Sequence, residues 1–322
     1  VILVVSYPGE EHTDDVIGRL EKAGREVVQI DLGDFPARAG MALSWSNDQA
    51  SYLIETPKGA VDISAARVGW WRRVRPFTVD AAVASPSERA FAESETSQAV
   101  NGLLDALGCA WVNPREADTA AHHKPYQWAV AQEVGLRLPR TLVTNQPEAA
   151  RAFIESVGLG KTIFKAFLAS IEAWRETRLI EPDDLEKLDS VRFAPVIFQE
   201  YIKGVDLRIT VVGEAVFAAE IDARETSYPV DMRMVVGESI VRPTTLPPKI
   251  HEAVLALQRR LNLVYGAIDM RRTPDGEYVF FEVNPAGQWH FVEQRTELPI
   301  SQAMADHLAA LDGPPKRKGS RP

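Results

Sequence analysis

Residues 265–284 read YGAIDMRRTPDGEYVFFEVN. Two apolar runs flank Pro274-Asp275-Gly276, which predicts a β-hairpin with strands over 265–271 and 278–284. Side chains alternate between the faces of a strand, so Glu282 and Asn284 point the same way. A two- or four-residue loop would pair Asp269 with Glu282, whereas a three-residue loop would break that register. In the first case Asp269, Glu282 and Asn284 converge. Adjacent carboxylates repel, and a divalent cation relieves the conflict. An all-oxygen set selects a hard ion, Mg²⁺ or Mn²⁺. The alternation with Ile268, Met270, Phe281 and Val283 equally suits a half-solvated sheet. Both readings stay open from the pattern alone.

Working outward, Val1–Val5 is an apolar β-branched run, followed by helical spacing over Thr13–Ala23 and a strand at Glu26–Asp31. That opening is β-α-β with parallel strands. Short strands follow at Tyr52–Ile54, Val61–Ile63 and Arg67–Trp71, then a long helix over Ser87–Leu107. Asn113-Pro114 marks a boundary. Beyond it come helices over His122–Val134, Pro147–Val157, Pro248–Leu261 and Pro299–Leu311. Strands are expected at Thr141–Thr144, Thr162–Phe167 and Pro195–Ile202. Leu207–Val212 and Ala215–Ile221 form a hairpin at Gly213-Glu214.

The 322 residues suit two or three packed units, and 45% apolar content suffices for their cores. A net charge of −9 argues against nucleic acid as a partner. No apolar run is long enough for a bilayer, so no membrane role is expected. VILVVSYPGE lacks the positive flank of a signal peptide. A lone cysteine, Cys109, excludes an internal disulfide and fits the cytoplasm. The tail 313–322 is read as disordered.

Magnesium with few protein ligands implies a phosphate ligand. Lys165 in TIFKAF and Lys124 in HHKPYQWAVAQE supply candidate cations. In FQEYIKGVDLR (198–208), Gln199, Glu200, Tyr201 and Ile202 end a strand whose backbone suits an adenine edge. Asp206 is placed for a ribose hydroxyl, and Arg208 for a phosphate or a carboxylate.

This order of two lysines, a Q-E-Y-I hinge and D…E-x-N on a closing hairpin resembles the ATP-grasp superfamily, from about Asn113 to Leu311. VIFQEYIKGVDLRITVVGEAVFAAEI, VDMR (230–233) and FFEVNPAGQW resemble the microviridin-type graspetide synthetases, peptide macrocyclases. The opening β-α-β and WWRR (70–73) resemble their pre-ATP-grasp domain. The resemblance implies a mixed α/β fold: a Rossmann-like pre-ATP-grasp domain (1–112), a central nucleotide- and leader-binding subdomain (113–203) and a C-terminal catalytic subdomain (204–312). It implies ATP and Mg²⁺ as cofactors and a ribosomal precursor peptide as partner, with a homodimer by analogy. Lys124 and Lys165 would hold phosphates, Gln199–Ile202 adenine and Asp206 ribose. Asp269, Glu282 and Asn284 would hold the metal. Arg208 and Arg233 would face the γ-phosphate or the peptide carboxylate, with Lys165 also catalytic. A ligase adding free amino acids and a non-catalytic binding protein are the alternatives.

Several features point elsewhere. GLGKT (158–162) lacks the first glycine of a P-loop and precedes a strand rather than following one. His12, His122, His123 and His290 have no neighbouring ligands in sequence. The segment 167–182 lacks the glycines that usually cover phosphates in this superfamily, and 170–193 is a candidate for leader binding.

Overall fold

The computed structural model describes residues 1–167, 177–224, 226–227 and 237–314. The N-terminal apolar run forms β1 (Ile2–Val5), buried along its whole length as a strand covered on both faces must be. It is followed by α1 (Glu11–Lys22) and β2 (Val27–Ile30). Three antiparallel strands come next: β3 (Gly40–Trp45), β4 (Ala50–Thr56) and β5 (Gly59–Asp62). β6 (Val68–Trp71), α2 (Pro86–Ala106) and β7 (Ala110–Val112) complete the unit. Its main sheet runs β2-β1-β6-β7, parallel throughout, the Rossmann-like arrangement expected from β-α-β. β3 escaped the sequence reading because GMALSW is mostly half-exposed and poor in β-branched residues.

The helix expected over His122–Val134 is α4 (Lys124–Glu133), and a separate short helix that was not expected, α3 (Arg115–Ala121), precedes it. Pro125 lies in the first turn of α4, where its missing N–H costs no helical bond, so it starts a helix rather than continuing one. β8 (Thr141–Thr144), α5 (Pro147–Val157), β9 (Thr162–Lys165), β10 (Arg178–Leu179), α6 (Pro182–Glu186) and β11 (Val196–Glu200) follow. They build an antiparallel sheet in the order β10-β9-β11-β8. GLGKT is the link from α5 to β9, with Gly158 at φ 108° and Gly160 at φ 74°.

The last sheet contains β12 (Val205–Val212), β13 (Ala215–Asp222), β14 (Ile240–Thr244), β15 (Tyr265–Arg272) and β16 (Tyr278–Asn284). Its order is β14-β13-β12-β15-β16, all antiparallel. α7 (Pro248–Arg260), α8 (His290–Thr296) and α9 (Ile300–Asp312) pack around it. Leu207, Ile209, Ile268, Met270 and Val283 meet Val254 and Leu257 of α7 and Val130 of α4 on one face. Each such buried side chain contributes roughly 1.5–3 kcal/mol. On the other face, Val212 and Tyr265 join Trp289, Met304, Leu308 and the first sheet's Ile2 and Val4. That second face is therefore covered at one end and opens at the other, where the two antiparallel sheets face each other.

Candidate active site

The hairpin reaches its register by an unexpected route. β15 and β16 pair Arg272 with Tyr278 and Met270 with Phe280, so residues 273–277 form a five-residue connection. Continued unchanged, that register would set Asp269 opposite Phe281. A β-bulge between Asp269 and Met270 shifts it and pairs Asp269 with Glu282. Bulges re-aim side chains, and here Phe281 and Glu282 both line the cleft. The expected convergence of acids holds, although the loop-length condition does not.

β16 is the sheet's edge, and α4 covers it. Gln127, 2% exposed, acts as a one-residue strand: its Nε2 donates to the Val283 carbonyl (2.8 Å) and its Oε1 accepts from the Val283 amide (2.9 Å). Trp128 Nε1 donates to the Phe281 carbonyl at the bulge (2.8 Å). These bonds hold the first turn of α4 over Glu282, and Lys124 Nζ donates to Glu282 Oε2. A lysine at a helix N-terminus opposes the helix dipole, so this placement is a local cost that the Glu282 carboxylate offsets. The sequence PYQW carried this signal as two polar-edged residues on an apolar helix, and it went unread.

Lys165 approaches the same carboxylate from the facing sheet, with Nζ 3.8 Å from Glu282 Oε2. Between the sheets lies a cleft open to solvent. Ile163, Ile202 and Phe281 give it apolar walls, and Lys165, Gln199, Asp206, Asp269, Arg271 and Glu282 give it polar ends. Glu200 and Tyr201 line it as well, as the hinge reading expected. Their amides serve the sheet: Glu200 N–H donates to the Arg140 carbonyl and Tyr201 N–H to the Lys161 carbonyl, both at 2.8 Å. Neither amide is offered to a ligand, so only carbonyls and the Ile202 backbone suit a purine edge there.

Two cross-strand ion pairs of opposite polarity floor the cleft. Arg208 lies opposite Asp269, with Nε 3.3 Å from Oδ1, and its guanidinium sits over the Phe291 ring at 5.6 Å. Asp206 lies opposite Arg271, which donates to both its oxygens (2.8 and 2.9 Å) and to the Ile202 carbonyl (2.7 Å). The Arg271 partner of Asp206 was not expected; only the β12–β15 register reveals it. With their side chains 17% and 16% exposed, Asp269 and Glu282 are part-buried among these cations, and the solvated-face alternative for them fails. Asn284 lies outside the cleft lining, exposed at the strand end, with Oδ1 accepting from the Ala286 amide at 3.0 Å. Arg233, Ser170 and Trp174 lie outside the described residues, as does much of the proposed lid and leader segment.

The donor set fits a hard divalent cation. Asp269, Glu282 and Asn284 offer only oxygen, and the carboxylates are neighbours across one strand pair. Lys124, Lys165 and Arg208 crowd these two carboxylates with positive charge. That surplus of cations suits a polyanionic ligand, whose phosphates would draw the lysines off Glu282 and leave it for the metal. Elsewhere, Asp15, His290 and Glu293 bring ligand atoms within 4.8 Å of one another. Sequence reading treated His290 and His12 as isolated, yet their rings stack at 4.1 Å. Asp15 and Glu293 are engaged by Arg19 and Ser301, so this group reads as structural. Cys109 packs at the edge of the N-terminal core, and burial pushes its thiol up to about 11, as an inert core residue requires.

No helix among the described residues is long and apolar enough to cross a membrane. Comparison with known proteins gives a consistent result. An MvdD pre-ATP-grasp domain family matches residues 1–119, and a RimK-like ATP-grasp domain family matches residues 121–308. Comparison with curated proteins finds no match. The chain is similar in structure to macrocyclase MdnC of Microcystis aeruginosa, solved with the precursor peptide MdnA (29% identity, TM-score 0.84, covering 95% of this chain and 98% of that one). A RiPP-associated ATP-grasp ligase of Chryseobacterium gregarium, solved with ADP and a leader and core peptide, matches at 27% identity and TM-score 0.86, covering 95% and 96%. The ATP-grasp ligase PsnB, solved with a minimal precursor, Mg and ADP, matches at 26% identity and TM-score 0.79, covering 97% of each chain. The lysines, hinge and paired acids thus sit on a known scaffold, and the chain belongs to the RimK-like ATP-grasp ligases that carry an MvdD-type pre-ATP-grasp domain.

Proposed function

We propose that this protein is an ATP-dependent macrocyclase of a ribosomally made precursor peptide. The observation that carries the reading is the meeting of Lys124 and Lys165, from two separate elements, on Glu282, itself paired with Asp269. A cleft that gathers three cations around two carboxylates is built to exchange partners when a nucleotide enters. Adenine would occupy the apolar slot between Ile163, Ile202 and Phe281, beside the Glu200–Ile202 hinge. Gln199 and Asp206 would read the polar edges of the nucleoside. Lys124 and Lys165 would take the phosphates.

In the reaction, a side-chain carboxylate oxygen of a peptide Asp or Glu attacks the γ-phosphorus of ATP. The bond to the β-phosphate oxygen breaks, and ADP leaves. A Ser or Thr hydroxyl, or a Lys amine, then attacks the acyl carbon. Inorganic phosphate departs, the nucleophile loses its proton, and an ester or amide closes the ring. The first step brings anions together, so catalysis lies in positioning and charge neutralisation. Arg208 and Lys165 are the cations assigned to the transferring group and the incoming carboxylate, and Arg233 is assigned with them. Asp269, Glu282 and Asn284 would hold Mg²⁺, or Mn²⁺ in its place, which supplies neutralisation of the phosphate charge.

The test incubates the purified protein with ATP and Mg²⁺ and either a synthetic peptide encoded by a short neighbouring reading frame rich in Thr and Glu or Asp, or that peptide together with free amino acids. The expected product has lost one water per ring, with ADP released in step. A peptide that instead gains the mass of an added amino acid would assign the protein to the amino-acid ligases. No ADP release with either substrate would sink both.

A further inference from the structure

We propose that Arg72, His12 and Tyr265 are positioning residues of the metal site: they strap the segment after β16 in place and so fix Asn284. This inference rests on the nucleotide-and-metal reading of the cleft and extends the site into the N-terminal unit.

The backbone that follows Asn284 is tethered by residues distant in sequence. Asn113 Nδ2 donates to the Pro285 carbonyl (3.1 Å). The Gly287 carbonyl accepts from Arg72 (3.2 Å) and from the Tyr265 hydroxyl (2.7 Å). The amides of Trp289 and His290 both donate to His12 Nε2 (3.1 and 3.2 Å). Trp289 is fully buried, with Arg72 over its ring at 4.4 Å and its Nε1 donating to Ser301 Oγ (2.9 Å). Because His12 Nε2 accepts two N–H groups, its proton sits on Nδ1, which donates to Glu10 at 2.9 Å.

The strap acts on Asn284 through a tight turn. The Asn284 carbonyl accepts from Gly287 N–H (3.2 Å), and its side-chain Oδ1 accepts from Ala286 N–H (3.0 Å). Gly287 lies flat against Ala267, where a Cβ would collide with the Ala267 methyl group. The Asn284 side chain is therefore bonded within a turn whose far end Arg72 and Tyr265 hold at Gly287 and His12 holds at Trp289 and His290. Arg72 is 1% exposed and bonded to Glu10 and to the Gly287 carbonyl, so its charge serves Glu10 and the strap. This gives WWRR a physical role: the N-terminal unit closes the last turn of the catalytic hairpin.

The test measures how much Mg²⁺ tightens ADP binding, by titration calorimetry, in the parent, His12→Leu, His12→Gln and Tyr265→Phe proteins. Each is checked for folding by circular dichroism. Glutamine can present an acceptor oxygen near the position of Nε2, and leucine cannot. The expected result is a tenfold or greater loss of the Mg²⁺-dependent gain in His12→Leu, near-parental gain in His12→Gln and about a threefold loss in Tyr265→Phe. ADP affinity without Mg²⁺ stays unchanged in all. If His12→Leu does not fold, Tyr265→Phe decides, since Gly287 keeps its Arg72 bond there. Folded variants that retain the parental gain overturn the inference alone. A parent whose ADP affinity does not respond to Mg²⁺ overturns the metal reading as well.

Discussion

Two buried charge clusters lie on either side of the strap, built from the same residue types and opposite in character. In the first, Glu10 is 4% exposed and both its oxygens are matched: one accepts from the Thr13 amide and hydroxyl and from Arg72 Nε, the other from His12 and Arg72. All these partners are fixed by packing. In the second, Glu282 faces two long lysines, one from α4 and one from β9 of the facing sheet, and Asp269 faces Arg208 at the floor of an open cleft. A saturated buried pair specifies one arrangement, whereas a carboxylate shared among competing cations can exchange them. The difference separates a fastening from a working site.

The most damaging way to break this contrast is Arg72→Met. Removing one partner of a buried pair strands the other charge, at a cost of about 3–5 kcal/mol. The urea midpoint should fall sharply. A midpoint within error of the parent would mean that the first cluster fastens nothing. Glu282→Gln should do the reverse. Loss of one charge-organising group at a phosphoryl-transfer site lowers turnover by about a hundredfold or more. Stability should fall by less than in Arg72→Met, because Lys124 and Lys165 lose their shared counter-charge at a cleft open to solvent rather than in a sealed core. Unchanged ADP release with peptide would reject the metal assignment.

The two clusters also differ in how far the sequence exposed them. The hairpin YGAIDMRRTPDGEYVFFEVN places Glu282 and Asn284 on one face through local alternation, whereas joining Asp269 to them depended on a loop length that the structure does not have. The bulge at Phe281 could not be read, because a shift of one residue leaves no mark in composition. Lys165 and the Glu200–Ile202 hinge were legible because they end strands. Their partners were not: Arg271 meets Asp206 only through the β12–β15 register, and Gln127 meets Val283 across a helix–strand contact. The fastening cluster was wholly hidden. His12 and Trp289 are 277 residues apart, and nothing local in YPGEEHT announces an acceptor for a distant turn. Helix and strand periodicity reports which face is buried, and it is silent on what covers that face.

A third prediction sharpens the contrast through protonation. Burial lowers the His12 imidazole below its ordinary 6.5, helped by the nearby Arg72 charge, although the Glu10 bond opposes this. Burial alone would raise the Glu10 carboxyl, but the His12 bond and Arg72 outweigh it and hold the group far below its ordinary 4.5. His290 stacks on His12 and adds its own field. In both groups the unfolded chain takes up protons before the folded one does. Stability is therefore fully present above about pH 6.5 and falls with acid, first through His12 and then, below about pH 4.5, through Glu10. Asp118, raised by burial, acts in the opposite sense. Unfolding midpoints measured from pH 8 to pH 5 should decline in the parent and flatten in His12→Gln. An equal decline in both would remove His12 from the account.

The smallest effect is expected where the same chemistry meets water. Arg137 and Glu277 form an ion pair beside the hairpin connection, with side chains 48% and 52% exposed. Screening by solvent and the cost of ordering two long side chains leave such pairs worth about 0–1 kcal/mol. The backbone bonds at this point are independent of the Glu277 carboxylate: the Arg137 carbonyl accepts from Phe280 N–H, and Glu277 N–H donates to Thr273 Oγ1. Glu277→Gln should therefore move the urea midpoint by less than any change in the Glu10 cluster, and the shift should vanish at high salt. A loss comparable to that of Arg72→Met would show that charge pairing, rather than burial with every partner matched, is what distinguishes the fastening from the rest of the molecule.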